Sequence, residues 1–174
     1  EGGARALRTG MDKMEASVQA GRRQIAAATS CVDATLIIAV PFYRNEHLVD
    51  PMVRSLVSCA GEIQELRARV ILFDDSPDYP ALAEALNHAE KTIGASFPVR
   101  VQRNIENQGW LKTCNIAMEE ANRIGADILL FNSDTIVIPG AIREMARISR
   151  LDPMIGFVKP RSNNATLATL PVGT

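Results

Sequence analysis

The 174-residue sequence predicts an α/β fold: a mostly parallel sheet with helices on both faces, preceded by an N-terminal helix. Three observations carry that expectation. Strand-sized apolar runs recur along the chain, segments of helical periodicity lie between them, and the connections are short. A strand–helix–strand unit crosses over with the right hand, which sets successive strands parallel. Hydrophobic residues make up 47% and charged residues 22%, too apolar for a disordered chain and enough for one packed core.

Each element has its own signal. Residues 4–28 are rich in Ala, Arg, Gln and Glu and read as a helix, weakly interrupted by Gly10 and Gly21. Met11, Met14, Val18 and Ile25 fall roughly on one side, which suits a packed or linker helix, or an arm reaching a partner domain. Residues 1–33 are therefore set apart as a helical arm or linker, and residues 34–174 as the folded part. Thr35-Leu36-Ile37-Ile38-Ala39-Val40, stopped by Pro41, reads as a strand buried on both faces. Residues 47–60 carry Leu48, Met52, Leu56 and Cys59 at helical spacing, with Gly61 as the stop. Arg69-Val70-Ile71-Leu72-Phe73 is a second strand. Residues 79–93 form a helix with Leu82, Leu86 and Ala89 on one side, closed by Gly94. Then follow a strand at Val99-Arg100-Val101, a helix over 110–124 ending at Gly125, a strand over 127–131, a helix over 141–148 and a fifth strand over 155–158.

Charge and cysteines exclude several classes. Nineteen Lys+Arg against twenty Asp+Glu give a net charge of -1, which argues against broad electrostatic binding to nucleic acid or an anionic membrane. No apolar run approaches the roughly 20 residues of a membrane span. Cys31, Cys59 and Cys114 are far apart and odd in number. They match neither a disulfide framework nor a metal pair and read as reduced thiols of a cytosolic-type compartment, with Cys59 and Cys114 in the core. His47 and His88 belong to no metal or nucleophile constellation. Neither a GxGxxG nor a P-loop is present. The chain starts at Glu1 rather than Met and reads as a piece of a longer one.

Ligands of such sheets bind at the carboxyl ends of the strands, and here those ends are polar. The first leads into Pro41-Phe42-Tyr43-Arg44-Asn45-Glu46, the second into Asp74-Asp75-Ser76, the third into Arg103-Asn104-Ile105-Glu106-Asn107 and the fourth into Asn132-Ser133-Asp134. Asp74 and Asp75 can accept hydrogen bonds from a base or ribose, or can cap the helix that follows. Asn132 and Asp134, two apart, point to one face of an extended segment. There a carboxylate can hold Mg²⁺ or Mn²⁺ if a nucleotide completes the coordination; the alternative is an ordinary turn. Asn107-Gln108-Gly109 precedes a helix whose free N–H groups can meet a phosphate, with Lys112 in its first turn.

Taken together, these segments resemble the nucleotide-sugar-binding half of family 2 glycosyltransferases, including rhamnosyltransferase-like members, which have the Rossmann-like GT-A fold. The resemblance covers roughly residues 34–171. It implies that Pro41, Tyr43 and Glu46 line a base and ribose pocket, and that Asp75, with Asp74, hydrogen-bonds the base. Asn107, Gly109 and Lys112 would flank the nucleotide and diphosphate. Asn132-Ser133-Asp134 stands where the family has its D-x-D motif, so Asp134 would bind Mn²⁺ or Mg²⁺ and Asn132 would sit near the ribose. The implied activity is transfer of a sugar from a nucleotide donor, a UDP- or dTDP-sugar, to a saccharide or lipid-linked acceptor in polysaccharide biosynthesis. The reaction inverts the sugar carbon, with a general base on the acceptor hydroxyl. The implied location is cytoplasmic, peripheral to the inner membrane, and nucleic acid is not a partner. Two features depart from the family. Asn132 replaces the first Asp of D-x-D, which removes one charge. The family's catalytic base follows the segment matching 162–171, so it is expected beyond Thr174 and no residue here is assigned that role. The alternative is a non-catalytic nucleotide-sugar-binding or interaction module of a larger assembly. A nucleotidyltransferase would want a Gly- and Lys/Arg-rich loop after the first strand, where this chain has Pro-Phe-Tyr-Arg-Asn-Glu.

Overall fold

The computed structural model describes residues 35–160. The helix expected over residues 4–28, Cys31 and the tail from residue 161 lie outside it. The described elements run β1 (Leu36–Phe42), α1 (Glu46–Ser58), α2 (Ala60–Glu65), β2 (Ala68–Asp74), α3 (Pro80–Ile93), β3 (Val99–Arg103), α4 (Gly109–Ile124), β4 (Asp127–Leu130) and α5 (Ala141–Ser149). The strands form one parallel sheet in the order β3-β2-β1-β4.

The alternation of side chains along β1 assigns its two faces. Ile38, Val40 and Phe42, with Val70 and Leu72 of β2, meet Met52, Leu56, Ile63, Leu86 and Ile142 from α1, α2, α3 and α5. Ile37 and Ala39, with Ile71 and Phe73, meet Ala117, Ala121 and Ile124 of α4. Both faces are thus covered, as the continuous apolar runs require. Cys59 and Cys114 are buried free thiols, and burial pushes both above the usual thiol value. Gly125 ends α4 with φ 67, the left-handed turn that glycine adopts without strain.

Three details differ from the sequence expectation. Pro41 does not stop β1, which runs on to Phe42. Ala39 carbonyl oxygen accepts the N–H of Phe131, the residue just after β4, at 3.0 Å, so the N–H that Pro41 lacks would have faced the β4 side too. The β1–β4 ladder ends at Ala39↔Leu130, and no bond is lost there. Gly61 does not end the helical region either: the chain breaks at Cys59 and α2 follows. Residues 155–158 form no strand. Phe157 is 78% exposed, and a run that finds neither a paired neighbour nor a buried face among the described residues has nothing there to hold it as a strand.

None of the helices described is capped by its own N-cap side chain. For α5 the cap comes from far away. Glu62, 5% exposed, accepts the Gly140 N–H and, at 2.9 Å, the Arg143 N–H. A buried carboxylate there meets the positive end of the helix dipole. Among the described residues no helix is long and apolar enough to cross a membrane.

Candidate functional site

The chain steps from β1 to β2 to β3 in one direction, then returns to the other side of β1 for β4. Where the order reverses, the loops leaving β1 and β4 part and open a crevice at their carboxyl ends. A cleft of about 260 Å³ lies there. Pro41, Phe42 and Tyr43 line it from the end of β1, Asn45 and Leu48 from the turn into α1, and Asp75 from the end of β2. Trp110 closes it from α4, and Asn132-Ser133-Asp134 from the end of β4. Pro41 and Tyr43 share the strand parity of Ile37 and Ala39, so they stand on the face that α4 covers.

Asp75 is the most heavily bonded of these residues. It is 3% exposed. Its Oδ1 accepts the Asn104 Nδ2–H at 2.7 Å and the Gln108 N–H at 2.8 Å; its Oδ2 accepts the Gly109 N–H at 2.8 Å. The carboxylate therefore caps α4, reached through the fold, rather than α3, the helix that follows it in sequence. Gly109 has φ 72, a conformation that aims its N–H at Asp75 and costs glycine nothing. Asn104 is buried and also donates to Thr113 Oγ1 at 3.0 Å. Asn104 and Thr113 thus fix the carboxylate from behind.

Asp74 shares the strand end but not the cleft. Its Oδ1 accepts the Ser76 N–H at 3.0 Å, and its Oδ2 lies 3.7 Å from Arg103 Nε. Burial pushes its carboxyl above the usual carboxylate value, against the Ser76 N–H and the Arg103 charge, which pull it down. Glu46 opens α1 and does not line the cleft. Its carboxylate faces the Tyr79 hydroxyl, and that hydrogen-bonded contact holds the phenol above its usual value. The buried Glu46 Oε2 atom has no hydrogen-bond partner among the described residues.

The rim is tied by Arg44. Its guanidinium pairs with Asp78 at 2.7 Å and lies 5.5 Å from the centre of the Tyr43 ring, and its N–H donates to Ser76 Oγ at 2.9 Å. It holds φ 51, a strained value for a side-chain-bearing residue. These contacts hold Tyr43 at the mouth, where it is 47% exposed.

On the opposite wall Asn132 and Asp134 are exposed. They supply an amide and a carboxylate, with the Ser133 hydroxyl between them. All can offer oxygen, which suits a hard divalent cation. Among the described residues no three His, Cys, Asp or Glu side chains converge on a metal-sized site, and Asp134 is the one carboxylate on this wall of the cleft. Asn107 and Lys112 are exposed and, like Gly109, lie outside the cleft lining, at or just before the first turn of α4. His47 and His88 are exposed on helices.

Of the residues singled out from the sequence, Pro41, Tyr43, Asp75 and Asn132-Ser133-Asp134 line this one cleft. It missed Phe42, Asn45, Leu48 and Trp110 as lining residues, and Asn104 and Thr113 as supports. Trp110 carried a signal: it is the single tryptophan and follows directly on Gly109. Asn104 stood among the polar residues after the third strand, but its pairing with Asp75, 29 residues away, and the part of Thr113 in it are set only by the packed fold.

Residues 37–163 match the family described as Glycosyl transferase family 2. No curated protein matches the sequence. Among solved structures, S. aureus TarS is similar at a TM-score of 0.52 and 21% identity, over 66% of this chain and 19% of that one. TarS 1–349 in complex with UDP-GlcNAc is similar at 0.51 and 21% identity, over 66% of this chain and 31% of that one. TarS 1–349 in complex with UDP gives 0.52 and 21%, over 66% and 32%. At that identity the likeness is one of fold, and the chain spans less than a third of these relatives. The α/β sheet with its cleft at the β1–β4 reversal is a GT-A-type fold, and the family match covers more than two thirds of the sequence. The chain belongs to glycosyl transferase family 2.

Proposed function

We propose that the cleft binds the nucleotide of a UDP- or dTDP-sugar, and that this chain is the donor-binding portion of an enzyme that transfers the sugar to an acceptor hydroxyl. The observation that carries it is the meeting of Tyr43, Asp75 and Asn132-Ser133-Asp134 around one cleft at the sheet reversal of a family 2 chain. A volume of about 260 Å³ suits part of a ligand, the nucleoside, with the sugar at the open rim. Tyr43 offers an aromatic face to the base, and Asp75 an acceptor for a base N–H.

Asp134, with the oxygens of Asn132 and Ser133, would hold Mn²⁺ or Mg²⁺ against the diphosphate. Such an ion offsets the charge of the leaving group. Asn132 in place of a second carboxylate lowers the charge of the donor set by one, so the diphosphate has to supply the remaining ligands. Transfer proceeds with inversion: the acceptor oxygen attacks the sugar carbon opposite the diphosphate. A general base takes the hydroxyl proton. The carboxylates lining the cleft are Asp75 and Asp134; the first is committed to capping α4 and the second to the metal, so neither serves as that base. The acceptor is a saccharide or lipid-linked saccharide.

Titration calorimetry with UDP and dTDP, each with and without Mn²⁺, tests the reading. Binding that is strengthened by Mn²⁺ in the parent and indifferent to it in Asp134→Ala is the expected result. Equal binding by parent and variant, with the same metal response, would remove Asp134 from the site.

A further inference from the structure

Glu62 has a role beyond holding α5, and that role rests on the donor reading just given. The loop from Phe131 to Gly140 carries Asn132-Ser133-Asp134, one wall of the cleft. Its start is firm: Phe131 is buried, and its N–H donates to the Ala39 carbonyl oxygen at 3.0 Å. Beyond that the loop has a thin hold on the fold. Thr135 N–H turns back on the Asn132 carbonyl oxygen at 3.1 Å. Val137 is buried in the core, but Ile136 and Ile138 on either side of it are 60% and 67% exposed. Among the described residues, no hydrogen bond ties residues 132–139 to β1, β2 or any helix other than α5. The far end is held by Glu62, whose buried carboxylate accepts the Gly140 N–H and, at 2.9 Å, the Arg143 N–H. Gly140 holds φ 94, and a Cβ there would meet no other atom within 4 Å; the glycine serves the left-handed turn that meets Glu62, not close packing. We propose that Glu62 is a positioning residue for this loop: it sets how tightly Asn132, Ser133 and Asp134 hold a divalent cation, from outside the cleft lining.

A cation held by one carboxylate and two neutral oxygens depends on geometry. Mg²⁺ takes its oxygens at about 2.0–2.1 Å in near-octahedral directions, so a small shift of the loop takes a ligand out of reach. Glu62 can fix the loop because it is fixed itself. It sits on α2 beside Ile63, which is fully buried. One turn on, Glu65 grips α5 a second time: its Oε2 accepts Arg143 Nη2–H at 2.8 Å and Nε–H at 3.0 Å. That pair is exposed and contributes little. The buried charge on two backbone N–H groups is the principal tie. The wall of the cleft that faces the base is held by other contacts. Tyr43 follows β1, and Asp75 is bound by Asn104, Gln108 and Gly109. A change at Glu62 therefore separates the hold on the metal from the hold on the nucleoside.

The test is titration calorimetry of the chain with UDP, once in EDTA and once with Mn²⁺. It compares the parent with Glu62→Gln and Gly140→Ala, each first checked for folding by circular dichroism. Glutamine keeps the volume of Glu62 but gives up the charge and turns a donor toward one of the two N–H groups. Gly140→Ala keeps Glu62 and strains the turn that meets it. In both variants the strengthening of UDP binding by Mn²⁺ should fall roughly twofold to thirtyfold, while UDP binding in EDTA stays at the parent's value. An undiminished gain from Mn²⁺ in folded Glu62→Gln would overturn the inference and leave the donor reading standing. If that variant does not fold, the same result in Gly140→Ala decides alone. A fall in EDTA as large as the fall in Mn²⁺ would also overturn it, because Glu62 would then support the fold as a whole rather than the loop. A parent that binds UDP without responding to Mn²⁺ would remove the metal from the donor reading and this inference with it. A parent that binds no UDP would remove both.

Discussion

Replacing Asp75 with alanine should destabilise the fold by about 3–5 kcal/mol, even with no ligand present. The figure comes from the contacts removed. Three donors lose a charged acceptor: Asn104 Nδ2, Gln108 N and Gly109 N. Hydrogen bonds to charged groups contribute about 1.5–3 kcal/mol each. The sum is then reduced, because the two backbone N–H groups are only half-buried and regain water, and Asn104 keeps its bond to Thr113. The lost carboxylate at the start of α4 adds about 0.3–1 kcal/mol through the helix dipole. Against a usual total of about 5–15 kcal/mol this is a large share. Urea unfolding followed by circular dichroism would measure it as a fall in midpoint at constant m. Asp75→Asn sharpens the test. Its amide keeps the volume but turns a donor toward either Gly109 N–H or the Asn104 and Gln108 pair, so it too should be less stable than the parent. If Asp75→Ala unfolds within about 1 kcal/mol of the parent, below the worth of one such bond, the cap contributes nothing and Asp75 answers to ligand alone.

Two further outcomes follow from other buried carboxylates. Glu62→Ala leaves the Gly140 and Arg143 N–H groups without their acceptor and should destabilise the protein by about 2–3 kcal/mol. Hydrogen exchange should be fastest in the first turn of α5, and unchanged protection there would refute the assignment. Asp74→Asn should be no less stable than the parent at neutral pH, because burial outweighs the contacts that favour the Asp74 charge. The folded protein holds that proton more tightly than the unfolded chain does. Lowering the pH through the raised carboxyl value therefore favours the parent, and the margin of the variant should shrink as the solution is acidified. A margin that grows on acidification would reverse the direction argued for Asp74.

Much of the site could be read before any coordinates. Polar residues after an apolar strand of a βαβ chain have few places to go, and the carboxyl edge gathers them whatever the details of packing. That is why Tyr43, Asp75 and Asp134, separated by 32 and 59 positions in sequence, meet around one cleft. Asp74 and Asp75 mark the limit of such reasoning. One ends β2 and the other follows it, yet adjacent residues of an extended chain face opposite ways. One lines the cleft and the other lies by Arg103. Parity with Ile71 and Phe73, which pack on α4, could have assigned Asp75 to the α4 side, but only once the face of α4 was known.

By itself the sequence determined the alternation of strands and helices, the parallel sheet and the edge where polar residues collect. These rest on local apolar periodicity and on the handedness of the crossover, which act over short stretches of chain; the family was legible in the motifs at the strand ends. The tertiary structure decided what each polar residue does at that edge. It set Asp75 to cap α4 and Glu62 to cap α5, placed Asn104 behind Asp75, and left residues 155–158 unpaired among the described strands. Each of these depends on which donors are buried beside which acceptors. Burial is a property of packed elements, and the pairs concerned lie 29 to 81 residues apart in the chain.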